Sequence, residues 1–182
     1  HPFTISSSPT QKRLSITVKA VGDFTSTIRE TRRTDRAYID MPYGRFSFLY
    51  DDADDLVLIA GGIGITPFMS MLRYIRDRGL KRNVLLLWGN KTEMDIAFRQ
   101  ELDRMESEMT SLEVVHVISR QEDFSGERGI IDAGVLRRHV EDFQTGRFFV
   151  CGPPAMMRDV VAALLDLGVP KNHILRERFS LR

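Results

Sequence analysis

Between Leu56 and Pro67 the chain reads Leu-Val-Leu-Ile-Ala-Gly-Gly-Ile-Gly-Ile-Thr-Pro, and no other stretch narrows its folding options so far. Apolar residues running unbroken into glycine predict a strand buried on both faces. Gly61, Gly62 and Gly64 carry no Cβ, so a ligand can approach the backbone and positive φ costs little. Thr66 followed by Pro67 predicts a helix start, with the hydroxyl capping free N–H groups and the proline at the first helical position. The helix continues through Phe68, Met71, Leu72 and Ile75, spaced i, i+3, i+4 and i+7, and Gly79 stops it. Its free N–H groups and positive dipole end face whatever lies above the glycines, an arrangement suited to phosphate or pyrophosphate. No Gly-Lys-Ser/Thr is present, so this is not a P-loop, and Pro67 stands where the usual dinucleotide fingerprint has its third glycine. The usual acidic ribose reader is missing too, because the next strand, Val84 to Trp88, runs into Gly89-Asn90. Two readings remain open on spacing alone, a nucleotide site and a tight strand-to-helix turn.

From Asp55 onward, strand patterns at 56–60, 84–88, 113–118, 147–151 and 174–178 alternate with helical patterns near 67–78, 93–109, 133–141 and 154–167. That alternation predicts an α/β fold, a five-stranded parallel sheet flanked by helices. Phe98, Leu102, Met105 and Met109 share one helix face and read as core. Ligands of such sheets lie at the carboxyl ends of the strands. Those ends carry Gly61-Gly62-Ile63-Gly64, Gly89-Asn90-Lys91, Ser119-Arg120 and Cys151-Gly152-Pro153. Ser119 and Arg120 offer a hydroxyl and a guanidinium to an adenosine ribose or its 2′-phosphate, with a solvated loop as the alternative. Arg128 is placed to close over the same group. Cys151 precedes a turn and points its sulfur into the crevice, unless it is simply a small buried hydrophobe.

Residues 1–52 read differently. Strands are expected at His1 to Ser6, Leu14 to Lys19, Ala37 to Met41 and Phe46 to Leu49, with a turn at Pro42-Tyr43-Gly44 and a short helix at Ser26 to Thr31. The acidic run Asp51-Asp52-Ala53-Asp54-Asp55 marks a boundary between parts 1–52 and 53–182 and reads as solvated. A net charge of +1 argues against nucleic acid or a membrane surface as the partner. The single cysteine leaves no internal disulfide, and four scattered histidines lack metal-ligand spacing, so no metal is expected. No apolar run approaches the roughly 18 residues of a membrane span, and no signal peptide is visible. The chain opens with His1 inside a strand pattern, which suggests a piece of a longer protein.

Together these motifs resemble the ferredoxin–NADP reductase superfamily, and within it the dehydrogenase modules of ferric reductases and NADPH oxidases. The residues that carry the resemblance are His1-Pro2-Phe3-Thr4-Ile5-Ser6, Gly22-Asp23-Phe24-Thr25, Pro42-Tyr43-Gly44, Gly61 to Pro67, Cys151-Gly152-Pro153 and Glu177-Arg178-Phe179. They span the whole chain in the family's order. The resemblance implies an FAD-binding antiparallel barrel, here only its second half, followed by a nicotinamide-nucleotide domain. It places His1, Pro2, Phe3 and Thr4 along the flavin, with the Thr4 hydroxyl near N5, the atom that accepts hydride. Lys19, with Thr25 and neighbouring N–H groups at a helix start, is expected to hold the FAD pyrophosphate. The resemblance further implies that the NAD(P)H pyrophosphate lies on Gly62, Gly64 and Thr66 and that the nicotinamide enters near Cys151 and Thr4, with Gly61, Gly152 and Pro153 also expected to bind cofactor.

Phe179 resembles the aromatic that covers the flavin, three residues from the end rather than last. Glu177 either handles a proton or forms a surface salt bridge. The implied activity moves hydride from NADPH, with NADH possible, to FAD, and then single electrons to a haem or metal acceptor. The expected acceptor is a haem-containing membrane domain of the same full-length chain, with this part on the cytoplasmic side, or a separate protein. The alternatives are the reductase component of an oxygenase with an iron–sulfur partner, and a non-catalytic nucleotide-binding regulatory module. Lacking half the barrel, this stretch alone is expected to be inactive and to retain little FAD.

Overall fold

The structure is a computed structural model and describes residues 1–41 and 43–179. Its centre is a parallel sheet of β1 (Asp55–Gly61), β2 (Asn83–Asn90), β3 (Leu112–Ile118), β4 (Glu127–Arg128), β5 (Arg147–Cys151) and β6 (Ile174–Glu177). The spatial order is β4-β3-β2-β1-β5-β6. There are thus six strands rather than the expected five. β4 escapes sequence reading because two residues, paired as Val117 with Glu127 and Ile118 with Arg128, carry no periodicity.

Side-chain alternation along β1 explains both layers of the core. Leu56, Leu58 and Ala60 face α2 (Thr66–Arg78) and α3 (Arg99–Glu108), while Val57 and Ile59 face α4 (Ala133–His139) and α5 (Pro154–Asp166). Both faces are covered, so the strand is apolar throughout. Gly79 ends α2 at φ +58°, and its N–H returns to the Ile75 and Arg76 carbonyls as the sequence predicts.

Several expected elements differ. The helix over 93–109 is interrupted: Glu93–Asp95 forms a separate turn, and α3 begins only at Arg99. Thr92 and Asp95 cause the break, since the Asp95 carboxylate takes the Thr92 N–H and hydroxyl, both at 3.0 Å, and closes its own capping box. The short helix falls earlier, as α1 (Asp23–Thr27) with a 3-10 turn at Ile28–Glu30. Phe46 to Leu49 is not a strand. Ser47 accepts the Leu49 N–H at 3.2 Å and caps a 3-10 turn, Phe48–Tyr50, that buries Phe48. Leu14 to Lys19 and Ala37 to Met41 form no ladder, and Ile5 with Ile16 is the single antiparallel bridge among the described residues. Leu14 and Ile16 remain 41% and 43% exposed, so the alternation has no packed surface to lock it. The turn proline, Pro42, lies outside the described residues.

The acidic run is not merely solvated. Asp51 pairs with Arg147 at 2.5 Å, Asp54 with Arg82 at 2.8 Å, and Asp55 accepts the Asn83 amide at 2.7 Å. The N-terminal segment is held by α2 as well. Ser70 donates to the Ser7 carbonyl at 2.8 Å, and Arg73 donates to the Ser6 carbonyl at 2.5 Å while gripping Glu101 of α3 through two 2.7 Å hydrogen bonds. Ser6, Ser7 and Ser8 are buried beneath this clamp.

Candidate nucleotide-binding site

β1 and β5 are neighbours, yet the chain leaves β1 for β2, β3 and β4 on one side and only then crosses to β5 on the other. At such a reversal the connections diverge, and ligands of open parallel sheets bind beyond the strand ends. The glycine corner forms one wall of this place and Cys151-Gly152-Pro153 the other, the two packed together at their base.

The three glycines of the corner serve different ends. A Cβ at Gly61 would overlap the Met156 sulfur and come within 2.7 Å of Pro153 Cδ. At Gly64 it would overlap the Cys151 carbonyl, with the Gly152 Cα 2.9 Å away. These two positions are small because the protein packs against itself there. Gly62 alone sits at φ +50° with nothing within 4 Å of a built Cβ. It is therefore the open, left-handed position that a ligand can approach.

Gly62–Ile65 forms a 3-10 turn that runs directly into α2. The N-terminus of this joint helix is therefore Gly62, not Thr66. Thr66 is buried, and its hydroxyl donates to the Ile63 carbonyl at 3.1 Å instead of capping N–H groups. The 3-10 turn provides the helix with its start, so no cap is needed at Thr66. On the opposite wall α5 begins Pro153-Pro154, two residues without an N–H. Hydrogen-bond donors are thus concentrated on the α2 side.

Cys151 is fully buried in the core cluster on the α2 face, which corrects the expectation of a sulfur open to the crevice. Burial pushes its thiol up to about 12, and the nearby Glu177 carboxylate adds to the shift. Cys151 and Glu177 are register partners across β5 and β6. Burial also raises Glu177, which forms no ion pair among the described residues, so the surface salt bridge is not found. Phe179 lies two residues beyond β6, 41% exposed.

At the end of β3, Ser119 donates through both its N–H, at 3.0 Å, and its hydroxyl, at 3.2 Å, to the Asn90 carbonyl. Arg120 is exposed, tied only through its N–H to the Lys91 carbonyl at 2.8 Å, and it makes no ion pair among the described residues. Arg128 turns back to the Glu122 carbonyl at 2.8 Å and braces the loop between them.

In the N-terminal part His1 stacks on Phe24 at 3.8 Å and 12°, with Phe3 at 6.2 Å from the same ring. Pro2 is exposed between them and Thr4 is half-buried. The Thr25 hydroxyl accepts the N–H groups of Val21 and Gly22 and donates to the Gly22 carbonyl, so it is engaged within its own turn. Lys19 is exposed and, with Lys91, helps hold Asp95 ionised, after the hydrogen bonds from Thr92. No group of three or more potential metal ligands is present among the described residues. Two shallow hollows, about 320 and 680 Å³, lie at the opposite, amino edge of the sheet beside Asn83 and away from all these residues.

Sequence reasoning set Asn90 at a strand end without giving it a role, and it missed Trp88. The Trp88 indole N–H donates to the Gly62 carbonyl at 2.9 Å. Asn90 is buried with an unpartnered amide. The only signal was their place at the end of β2.

Strand order, the glycine corner at the reversal and a helix starting there define a nucleotide-binding α/β domain. The chain belongs to the oxidoreductase NAD-binding domain family, whose model matches residues 58–162, within the ferredoxin–NADP reductase superfamily. It is 30% identical to the glycine betaine monooxygenase reductase subunit of Chromohalobacter salexigens over 98% of this chain and 50% of that protein. It is also 30% identical to the sulfhydrogenase 2 subunit gamma of Pyrococcus furiosus, over 95% and 64%. The chain thus spans about half to two thirds of the length of these relatives. Among solved structures, the FAD/NAD-binding domain of a Vibrio cholerae nitric oxide dioxygenase superposes with a TM-score of 0.82 at 22% identity, covering 97% of this chain and 76% of that one. A Neisseria gonorrhoeae ferredoxin–NADP+ reductase with bound FAD and NADP gives 0.76 at 22% identity, over 97% and 78%.

Proposed function

We propose that this chain forms the nicotinamide-nucleotide half of a flavin-dependent NAD(P)H oxidoreductase, with its pyrophosphate site at Gly62. The observation that carries the reading is the contrast among the glycines: Gly62 is open and left-handed at a helix start, while Gly61 and Gly64 are consumed by internal packing. The donors of the α2 start fit a pyrophosphate, and the donor-poor Pro153 wall suits the uncharged nicotinamide ring. When bound, NAD(P)H supplies hydride and FAD divides it into single electrons.

The protein's own residues orient. Gly62 and the N–H groups after it hold phosphate. The exposed Arg120, beside Ser119, receives a 2′-phosphate, which favours NADPH over NADH. Cys151, held as a neutral thiol, offers a close uncharged surface rather than a nucleophile. Glu177 is raised by burial and stands at the same strand end, suited to holding a proton. On the N-terminal side Thr4 and the aromatic group of His1, Phe3 and Phe24 support a flavin, with Lys19, rather than the engaged Thr25 hydroxyl, as the pyrophosphate contact.

Similarity to an oxygenase reductase subunit supports an oxygenase as the electron acceptor. A second, finer reading keeps the ferric reductase or NADPH oxidase-like module beside a membrane haem domain, because His1-Pro2-Phe3-Thr4 resembles that branch. No described helix is long and apolar enough to cross a membrane, so such a domain would lie in further chain. The test is anaerobic addition of NADPH to the full-length protein loaded with FAD, following the flavin band at about 450 nm. Bleaching is expected, and Arg120→Ala should erase most of the preference for NADPH over NADH. Nucleotide binding without bleaching would leave a regulatory module.

A further inference from the structure

Asn90 is the buried polar side chain that the proposed chemistry leaves unused. It is the last residue of β2, 8% exposed, and its Nδ2 has no hydrogen-bond partner. The orphaned ring nitrogens of His116 and His173 differ in kind, because an imidazole can move its proton to the other nitrogen. A carboxamide cannot. Its two N–H donors need acceptors, and native structures rarely leave such a group buried without a reason. The backbone of Asn90 is not the cause, since its carbonyl already accepts both the N–H and the hydroxyl of Ser119.

Register gives the location. Gly61 is opposite Gly89, so Asn90 follows directly on the last register pair of β2, at the end where β1 gives way to the turn that starts at Gly62. Alternation along β2 puts Asn90 on the face of Val84, Leu86 and Trp88, the face that α2 covers. Trp88, two residues earlier on that face, reaches the corner and holds the Gly62 carbonyl. Because a trans peptide points its C=O and N–H in opposite directions, this hydrogen bond turns the Ile63 N–H away from the indole. An unfilled donor, a fixed backbone donor and the positive end of a long helix therefore meet at one place.

Resting on the nucleotide-binding reading above, we infer that Asn90 is a ligand of the bound dinucleotide, its Nδ2 donating to a phosphate oxygen. Trp88 is a positioning residue that fixes Gly62 for the same phosphate. The orphaned amide is then the empty half of a hydrogen bond that the nucleotide completes.

Calorimetric titration reads nucleotide binding directly, whatever tryptophans the full-length protein carries beside Trp88. The experiment titrates the full-length protein, Asn90→Leu and Asn90→Asp with NADP+, and measures each melting temperature without nucleotide. Asn90→Leu keeps the volume and cannot donate. Its Kd should rise about ten-fold, the effect of one hydrogen bond to a charged group. Its nucleotide-free melting temperature should stay level or rise, because an unsatisfied donor has been removed. Asn90→Asp sets a carboxylate against the phosphate and should weaken binding at least as much as Asn90→Leu. A purely structural Asn90 would show the reverse pattern, melting temperature falling with Kd within about two-fold of the parent, and that result overturns the inference, as does a Leu variant that fails to fold. A parent protein that binds no NADP+ overturns the underlying functional reading instead.

Discussion

At the scale of single residues, Cys151 shows burial removing a chemistry that its position advertises. It stands at a strand end beside the crevice, yet the Gly64 turn lies against its carbonyl and its sulfur is sealed in the core. With the thiol pushed up to about 12, thiolate is scarce at neutral pH. A disulfide reagent should therefore leave Cys151 unmodified in the native protein and react promptly once the protein is unfolded. Rapid native labelling would contradict the buried placement. Glu127 is the opposite case. Arg138, through bonds of 2.7 and 2.9 Å, and then His139, at 3.0 Å, hold its carboxylate down at about 2 from the usual 4.5. As pH falls, the unfolded chain takes up this proton first, so the stabilisation is present above about 4.5 and is lost between 4.5 and 2. Glu127→Gln should lower the melting temperature at pH 7, and the gap to the parent should close across that window. A gap unchanged by acid would show that the pair carries no such linkage.

At the scale of elements, the glycine corner separates two reasons for the same residue. Gly64→Ala drives a methyl into the Cys151 carbonyl, and backbone cannot step aside, so a loss of about 3 kcal/mol is expected in denaturant unfolding. Gly62→Ala meets no atom and bears only the left-handed backbone, about 1–2 kcal/mol, while its effect should fall on NADP+ affinity. Equal stability losses would erase the distinction. The sequence made the strand, the turn and the helix after Gly62 legible because apolar period and glycine placement act locally. It could not show which glycine is open, since Met156, Pro153 and Cys151 arrive from far along the chain. The break before α3 was hidden for a different reason: Thr92 and Asp95 form a capping box inside a pattern whose apolar spacing reads as continuous helix. Trp88 and Asn90 look like ordinary strand and turn residues until β1 is laid beside β2.

At the scale of the whole molecule, the N-terminal part and the sheet domain are joined through α2. The helix that begins at the glycine corner also grips the segment just after Thr4, through Ser70 and Arg73, so both candidate cofactor sites are referred to one rigid rod. The alternation expected at 14–19 and 37–41 forms no ladder beyond the single Ile5–Ile16 bridge, and apolar side chains there stay exposed, Tyr38 at 95% and Ile39 at 63% among them. Periodicity predicts a strand only where a neighbour supplies the ladder. Its own sheet supplied that neighbour everywhere after Asp55.

Hydrogen exchange with and without NADP+ bears most directly on where this molecule works, because it reads every backbone amide at once. Slowed exchange confined to Gly62 through Thr66 and the strand ends at Asn90 and Ser119 is the expected result. Protection centred instead on the hollows at the amino edge, around Asn83, Ser111 and Asp142, would contradict a nucleotide site at the reversal of strand order.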